Sequence, residues 1–229
     1  MRSTRKVGIA TTVAAMVVLA ACGVRAGGSP DDHRMAKLPA GTNGLQKATF
    51  AMGCFWSAES AFEGLPGVKT VTSGFTGGTT KNPSYEQVSY GNTHHAEAIE
   101  VLFDPRQVSY AELLDLFWHN IDPTQKNGQF CDRGEQYRTA IFTHDESQRR
   151  LAEATKRKIE SNPRRFSGRI VTEIAPAGAF YPAEEYHQDF YRKQPEHYGR
   201  YREGCGRDRR LIELWGKPGR TASHTAGTS

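Results

Sequence analysis

The stretch from Ala48 to Leu65 constrains the fold most, because a strand pattern changes into a helix pattern at one cysteine. Residues 48–52 are short and apolar, which predicts a strand, and apolar side chains recur at helical spacing from residue 55 onward. Cys54 is therefore predicted at a helix N-terminus, where unpaired amide groups and the helix dipole favour a thiolate. The competing interpretation is a buried cysteine at the end of a strand, since free cysteines are commonly buried.

The first 21 residues have the composition of an export signal. Three basic residues precede an uncharged, mostly apolar run from Val7 to Ala21, which is shorter than the roughly 20 residues needed to span a bilayer. The run ends in Leu-Ala-Ala directly before Cys22, a pattern that resembles the lipobox of bacterial lipoproteins. We expect 1–21 to be a lipoprotein signal peptide and Cys22 to carry the lipid, which anchors the protein facing the periplasm or the extracellular side. An ordinary signal peptide with Cys22 as a bystander is the alternative.

The net charge of +5 is weak evidence for nucleic-acid binding. Three of the basic residues lie in the predicted signal peptide, and no basic stripe interleaved with aromatic residues follows. We therefore expect no nucleic-acid partner.

The rest of the chain divides into three parts by composition. Residues 22–45 are rich in Gly, Pro and Asp, which predicts a flexible tether. Residues 46–216 are long enough for one domain with a sizeable core. Residues 217–229 are small and polar and are predicted to be a disordered tail.

Three cysteines follow Cys22, namely Cys54, Cys131 and Cys205. No two of them form a C-x-x-C pair, so the spacing predicts no zinc site, and no other metal site is expected. An odd number of cysteines in an exported protein argues against a purely structural set of disulfides. The count therefore leaves room for a reactive thiol.

Strand and helix patterns alternate through the predicted domain. Further strands are predicted at 68–75, 95–103, 136–143 and 170–175, and further helices at 109–119, 145–161 and 183–192. From Glu196 to Leu211 the chain is rich in Gly and Arg and is predicted to be irregular. Helices mixed with adjacent strands indicate an α+β fold of two layers.

One acidic residue lies on an apolar strand face. Alternation along the strand at 95–103 places Glu97 on the same face as Ile99, Val101 and Phe103. Burial without a cation would disfavour the charged form and raise the pKa of Glu97. A strand-end glutamate that reaches solvent is an equally good interpretation of the same pattern.

The folded part of the chain, about residues 46–216, resembles the peptide methionine sulfoxide reductases of the A type. Several short motifs occur in the order found in that family, so the resemblance does not depend on one tetrapeptide. The matching segments are Gly53–Trp56, Gly74–Gly78, Asn82–Tyr85, His95–Ala98, Phe117–Trp118, Asp122–Gln125, Cys131–Gly134, Gln136–Arg138 and Tyr186–Gln188.

The resemblance implies a role for each matching site residue. Cys54 matches the family's nucleophile, and Glu97 matches its general acid. Three polar residues match the groups that hold the sulfoxide oxygen and a catalytic water, and two aromatic residues match the walls that receive the methyl group. These are Asp132, Tyr85 and Tyr137 for the polar groups, and Phe55 and Trp56 for the walls.

The resemblance also implies the fold and the reaction. The expected fold is a two-layer α/β sandwich, with a mixed sheet, flanking helices, a ferredoxin-like core and an irregular C-terminal segment. The expected enzyme reduces methionine S-sulfoxide, free or in proteins, and so repairs oxidised proteins. Cys54 would become a sulfenic acid and then a disulfide, which a thioredoxin-like dithiol protein reduces without any bound cofactor.

The second thiol of that disulfide is not fixed by the resemblance, because the C-terminal segment departs from the Gly-Tyr-Cys-Gly form of well-known members. Cys205 is favoured, since glycines and arginines flank it and make it mobile and electropositive. Cys131 is the competitor, because it directly precedes Asp132.

Two other classes of function stay open at this point. One is a different thiol enzyme, such as a peroxidase that uses Cys54. The other is a surface lipoprotein without enzymatic activity that binds a metal or a partner through His94, His95 and His187.

Overall fold

The computed structural model describes residues 44–162, 165–166 and 168–221. The predicted signal peptide, Cys22, and most of the predicted tether and tail lie outside the described residues. Within the described residues, no helix is long and apolar enough to cross a membrane.

A six-stranded mixed sheet forms one layer of the fold, in the spatial order β7-β6-β1-β3-β2-β8, and two further strands form a small hairpin. The strands are β1 Gln46–Met52, β2 Val68–Thr76, β3 Ala96–Phe103, β4 Gly128–Gln129, β5 Asp132–Arg133, β6 Thr139–Thr143, β7 Glu173–Pro176 and β8 Tyr181–Pro182. Strand β7 runs parallel to β6, whereas the other paired strands are antiparallel.

Seven helices accompany the strands in the described part of the chain. They are α1 Phe55–Phe62, α2 Tyr85–Ser89, α3 Tyr110–Trp118, α4 Glu146–Glu160, α5 Phe190–Lys193, α6 Pro195–Gly204 and α7 Arg207–Trp215. The four inner strands and the helices α1 and α3 follow the order β1-α1-β2-β3-α3-β6, and the strands lie as β6-β1-β3-β2. This is the ferredoxin-like arrangement, so the predicted α+β fold with a mixed sheet is confirmed.

Aromatic packing fixes α1 and α3 against the sheet. The Phe50 ring on β1 lies 5.3 Å from the Phe62 ring on α1 and 5.3 Å from the Phe117 ring on α3. All three side chains are fully buried. The predicted capping box of Ser109 and Glu112 starts α3. The core therefore holds the beginning of α1, and with it Cys54, in a fixed position at the end of β1.

The C-terminal segment differs from the prediction, because it forms α6 and α7 and not an irregular stretch. Pro195 starts α6 and Gly206, in the left-handed region at φ 67°, separates the two helices. Few apolar residues lie along α6, so its helical pattern was weak in the sequence. Tertiary contacts, such as the ion pair of Arg202 with Asp208, stabilise the segment instead.

Two further elements also differ from the prediction. The predicted helix at 183–192 is split into a 3-10 turn at Glu185–His187 and α5, because Asp189 has a left-handed backbone with φ 53°. A capping box of Ser84 and Gln87 starts α2, which is not among the predicted helices.

Candidate active site

The turn between β1 and α1 presents Cys54 at the N-cap position of α1. Gly53 has φ +79°, and a Cβ at this position would lie 2.6 Å from the Gln129 Cβ, so only glycine fits the turn. The Ser57 amide donates to the Cys54 carbonyl oxygen at 3.1 Å, which closes the first turn of the helix. Cys54 is the free cysteine of the described residues, and its side chain is buried with 6% exposure.

The predicted thiolate of Cys54 is not the form that its surroundings favour. Burial raises the pKa of the Cys54 thiol, and the carboxyl groups of Glu97 and Asp132 raise it further. A hydrogen bond from Tyr201 and the charge of Arg207 lower the pKa, but by less than the burial raises it. The helix N-terminus is in the predicted place, yet loss of water around the sulfur outweighs it. Cys54 is therefore a neutral thiol at rest.

Glu97 lies on β3 with only 2% of its surface exposed, so the buried interpretation of the strand pattern is correct. Its Oε2 atom accepts a hydrogen bond from the Phe55 amide at 3.0 Å, which places the carboxyl group at the start of α1. Burial raises the pKa of Glu97 to about 8, against a smaller lowering by the Phe55 amide. The group is therefore mostly protonated at neutral pH and can donate a proton.

The structure brings the other predicted polar residues to the same place. Tyr137 is the last residue of the 3-10 turn that begins at Glu135, and burial, followed by the charges of Glu97, Cys54 and Asp132, raises its pKa. Burial and then the charge of Glu97 also raise the pKa of Tyr85 on α2. Both phenols therefore stay protonated and can donate hydrogen bonds near Cys54 and Glu97.

Asp132 has a partner that the sequence did not reveal. The Tyr201 hydroxyl donates to Asp132 Oδ2 at 2.6 Å, and Tyr201 also lowers the pKa of Cys54. Burial raises the pKa of Asp132, while Tyr201 and Arg207 oppose that rise. Tyr201 lies 69 residues from Asp132, in a segment that was predicted to be irregular and forms α6. No local sequence pattern therefore indicated this hydrogen bond.

The two predicted pocket walls are neighbouring rings at the α1 N-terminus, with centroids 6.5 Å apart. The Phe55 ring is buried beside Tyr85, with ring centroids 6.3 Å apart. The Trp56 ring is half-buried, stacks on Phe190 at 3.8 Å and meets the Tyr201 ring edge-on at 5.9 Å. The Trp56 indole donates to His187 Nδ1 at 3.2 Å, which fixes the orientation of the indole. Phe190 and His187 are thus supporting residues that the sequence analysis did not place in the site.

The two candidate resolving cysteines are bonded to each other. Cys131 precedes β5 and Cys205 ends α6, and their sulfurs form a disulfide. Cys131 is exposed and Cys205 is half-buried. Their sulfurs lie within 4.8 Å of an Asp132 carboxylate oxygen, and the same carboxyl group accepts from Tyr201 and raises the pKa of Cys54. The predicted disulfide with Cys54 is therefore not the one in the structure, although all three sulfurs belong to one site.

The histidines proposed for metal binding are engaged separately. His94 pairs with Glu135, His95 contacts Gly78 and Thr80, and His187 accepts from Trp56. Neither of the metal-competent groups found among the described residues contains a histidine. One of them contains the disulfide cysteines, and in the other Arg192 forms ion pairs with Glu63 and with Asp189.

These features define a class of enzyme before any comparison. A buried cysteine lies beside a protonated carboxyl group, neutral phenols and an aromatic wall, and a disulfide lies nearby. Such a site can attack an electrophilic centre with sulfur, protonate a leaving oxygen and pass the oxidation to a second pair of sulfurs. It is the site of a thiol-dependent oxidoreductase on a ferredoxin-like α+β fold.

Comparison with known proteins identifies the family. The family model for peptide methionine sulfoxide reductase matches residues 46–218. A peptide methionine sulfoxide reductase MsrA from Bacillus licheniformis is 52% identical over 170 residues, which cover 74% of this chain and 93% of the relative. An MsrA from Listeria innocua is 50% identical over 171 residues, which cover 75% of this chain and 96% of the relative.

Solved structures agree with this result. Methionine sulfoxide reductase A of Corynebacterium diphtheriae has a TM-score of 0.62 and 37% identity, and the match covers 68% of this chain and 77% of that one. Mxr1 from Saccharomyces cerevisiae in reduced form has a TM-score of 0.61 and 32% identity, covering 71% and 92%. The chain belongs to the peptide methionine sulfoxide reductase family, in its A type, and is an enzyme of that family.

Proposed function

We propose that this enzyme reduces the S epimer of methionine sulfoxide, free or within proteins, with Cys54 as the attacking sulfur and Glu97 as the general acid. The observation that carries the proposal is the buried Glu97 carboxyl group, protonated at neutral pH and held by the Phe55 amide at the start of the helix that Cys54 caps. A sulfoxide oxygen is a poor leaving group, and a proton donor at this position protonates the oxygen so that it can leave.

In the first step Cys54 attacks the sulfoxide sulfur and forms an S–S bond, while Glu97 protonates the oxygen and the proton of the Cys54 thiol restores Glu97. The hydroxyl group then moves from the substrate sulfur to the Cys54 sulfur as the S–S bond breaks. Cys54 becomes a sulfenic acid, and methionine leaves as the reduced thioether. Tyr85 and Tyr137 donate hydrogen bonds to the oxygen while it carries charge, and Asp132 orders a water. Phe55 and Trp56 receive the methyl group of the substrate.

The observed disulfide supports a route for the second half of the reaction. Tyr201 and Cys205 lie four residues apart on α6 and so share a helix face, and Tyr201 reaches Cys54. We propose that the Cys205 thiol attacks the Cys54 sulfenic acid and water leaves. The Cys131 thiolate then displaces Cys54 from Cys205, which forms the Cys131–Cys205 disulfide and regenerates the Cys54 thiol.

Serine variants of the two cysteines test this order. In Cys131→Ser we expect one equivalent of methionine and a trapped Cys54–Cys205 disulfide, visible by peptide mass spectrometry. In Cys205→Ser we expect one equivalent of methionine and a Cys54 sulfenic acid that dimedone captures. Recycling by a thioredoxin should fall by about tenfold or more in both variants, because neither can form the final disulfide.

The opposite pattern would contradict the order. A trapped Cys54–Cys131 disulfide in Cys205→Ser would make Cys131 the first resolving residue. Unchanged recycling in Cys205→Ser would remove Cys205 from the reaction.

The substrate assignment is tested with separate epimers. We expect the S epimer of methionine sulfoxide to be consumed with dithiothreitol and the R epimer to be left untouched, as followed by chromatography. Faster turnover of hydrogen peroxide than of either epimer would instead favour the thiol peroxidase alternative.

We also propose that a thioredoxin-like dithiol protein outside the cytoplasm is the electron donor, and that Cys22 is lipidated. Exposure of Cys131 supports the first proposal, because a partner thiol can reach its sulfur. The Leu-Ala-Ala-Cys pattern at the end of a short apolar run supports the second, with 22–45 as the tether to a catalytic domain at 46–216. Release of Cys22→Ser from the membrane fraction of expressing cells is the expected result, and its retention there would contradict lipid anchoring.

A further inference from the structure

Arg207, the first residue of α7, is a fully buried cation. Its NH1 group donates to the Asn120 carbonyl at 3.2 Å and its NH2 group to the Met52 carbonyl at 3.4 Å. The guanidinium also lies 4.3 Å from the centre of the Phe130 ring, and its Nε atom has no partner within the described residues. Neutral partners of this kind offset only part of the cost of removing a charge from water.

The absence of an ion pair at Arg207 within the described residues contrasts with a second buried arginine. Arg202 on α6 is also buried, but its guanidinium forms a two-point ion pair with Asp208 and donates to the Tyr198 hydroxyl. No carboxylate in the described part of the chain forms such a pair with Arg207. Arg202 is thus explained by its ion pair, whereas Arg207 lacks a structural reason for carrying a charge.

The guanidinium of Arg207 lies next to the turn that presents the nucleophile. Its NH2 group bonds to Met52, two residues before Cys54, and would lie 3.4 Å from a Cβ built on Gly53. Glu97 and Asp132 raise the pKa of Cys54, whereas Arg207 lowers it. The titratable groups that face Cys54 from the surrounding elements are Glu97 on β3, Asp132 on β5, Tyr201 on α6, Tyr85 on α2 and Tyr137 after β5.

We propose that Arg207 is a positioning residue of the reaction, whose buried positive charge stabilises the Cys54 thiolate as it forms. The inference rests on the proposed function in that Cys54 is the attacking sulfur. Charges interact strongly where water is excluded, so a guanidinium beside the turn acts on the sulfur without touching the substrate. The forming thiolate thus adds a negative charge beside a guanidinium that forms no ion pair within the described residues.

The test compares Arg207→Met with wild type in the oxidised enzyme, in which the Cys131–Cys205 disulfide protects the other two sulfurs of the site. Alkylation of Cys54 by iodoacetamide is followed against pH, by mass spectrometry of the peptide that carries Cys54. We expect the midpoint, the pH at which Cys54 alkylation reaches half of its maximal rate, to be higher in Arg207→Met by about one pH unit or more. This means about tenfold slower alkylation at pH 7. Arg207→Lys keeps the charge and should stay closer to wild type.

A stability measurement separates this role from a merely structural one. Removing an unpaired buried charge is expected to leave the melting temperature of Arg207→Met unchanged or raised. Arg202→Met is the matched control, and we expect a lower melting temperature with an unchanged Cys54 profile. Should Arg207→Met fail to fold, Arg207→Gln is measured in the same way, because its amide can still donate to Met52.

An unchanged midpoint in a folded neutral variant would overturn the proposal. So would a midpoint in Arg207→Lys as high as in the neutral variant. The alkylation assay involves no sulfoxide and no proton transfer from Glu97 to a substrate. Failure of this inference can therefore be distinguished from failure of the proposed function, which the Cys54 and epimer experiments test.

Discussion

Cys54→Ser is expected to lose methionine sulfoxide reduction by a factor of about 10³ or more, whether dithiothreitol or a thioredoxin supplies electrons. A serine hydroxyl is a much weaker nucleophile than a thiolate, and its oxygen cannot accept the sulfoxide oxygen to form a sulfenic acid. The measurement uses fully reduced enzyme without external reductant, and methionine is quantified per enzyme. Wild type should yield about two equivalents, because formation of the Cys131–Cys205 disulfide regenerates the Cys54 thiol for a second attack, and the variant should yield none above background.

Ser57→Ala is the matched control for this experiment. Ser57 lies one helical turn from Cys54, is buried, and its hydroxyl has no hydrogen-bond partner among the described residues. Loss of this hydroxyl changes the same turn of α1 without touching the reacting sulfur, so turnover should stay within about twofold of wild type. Methionine formed stoichiometrically by Cys54→Ser would show that another group attacks the substrate.

The beginning of α1 shows what the sequence could predict. The apolar run of β1, the left-handed glycine and the helical spacing after Cys54 are all local, so one stretch of residues indicated the turn and the buried position beside it. Alternation along β3 likewise placed Glu97 on an apolar face. The pattern could not decide between burial and solvent, because that depends on α1 and on the Phe55 amide that reaches Glu97.

Two features of the site could not be predicted in the same way. They are the ionisation of Cys54 and the site residues that come from the C-terminal segment. A helix N-terminus favours a thiolate, but the amount of water around the sulfur is set by residues far along the chain. Tyr201 belongs to α6, which carries few apolar residues, and Arg207 begins α7 four residues before the first apolar residue of that helix. Tertiary packing decides such helices, so their contribution became visible only in three dimensions.

Glu97→Gln is expected to slow the first turnover by about 10² to 10⁴-fold, because glutamine has no proton to give to the sulfoxide oxygen. The amide oxygen of glutamine can still accept the hydrogen bond of Phe55, so the turn should keep its geometry. In wild type the same step should slow as the pH rises above about 8, where Glu97 loses its proton. The variant should lack this decline, and pH-dependent single-turnover assays measure both effects.

Glu97→Gln is expected to raise the stability of the protein, although it slows the reaction. In the unfolded chain Glu97 loses its proton near its ordinary pKa of 4.5, whereas the folded protein holds it to about 8. Folding therefore keeps a proton bound between these values, and the free energy of unfolding contributed by this group falls as the pH rises through that window. Glutamine does not ionise, so Glu97→Gln should gain about 2–4 kcal/mol relative to wild type between pH 5 and pH 8.

Glu59→Gln separates the stability effect from the chemistry. Glu59 on α1 is as buried as Glu97, and burial raises its pKa to about 8 as well, but its Oε1 atom accepts from the Asp189 amide, away from the sulfur. We expect Glu59→Gln to show the same gain in stability with rising pH, as measured by urea unfolding, and to keep the first turnover. A Glu97→Gln enzyme as fast as Glu59→Gln would leave Glu97 as a buried acid without a part in catalysis. The expected result is an equal gain in stability in both variants and a slower first turnover in Glu97→Gln alone. Glu97 would then lower the stability of the fold and be kept because the reaction needs its proton.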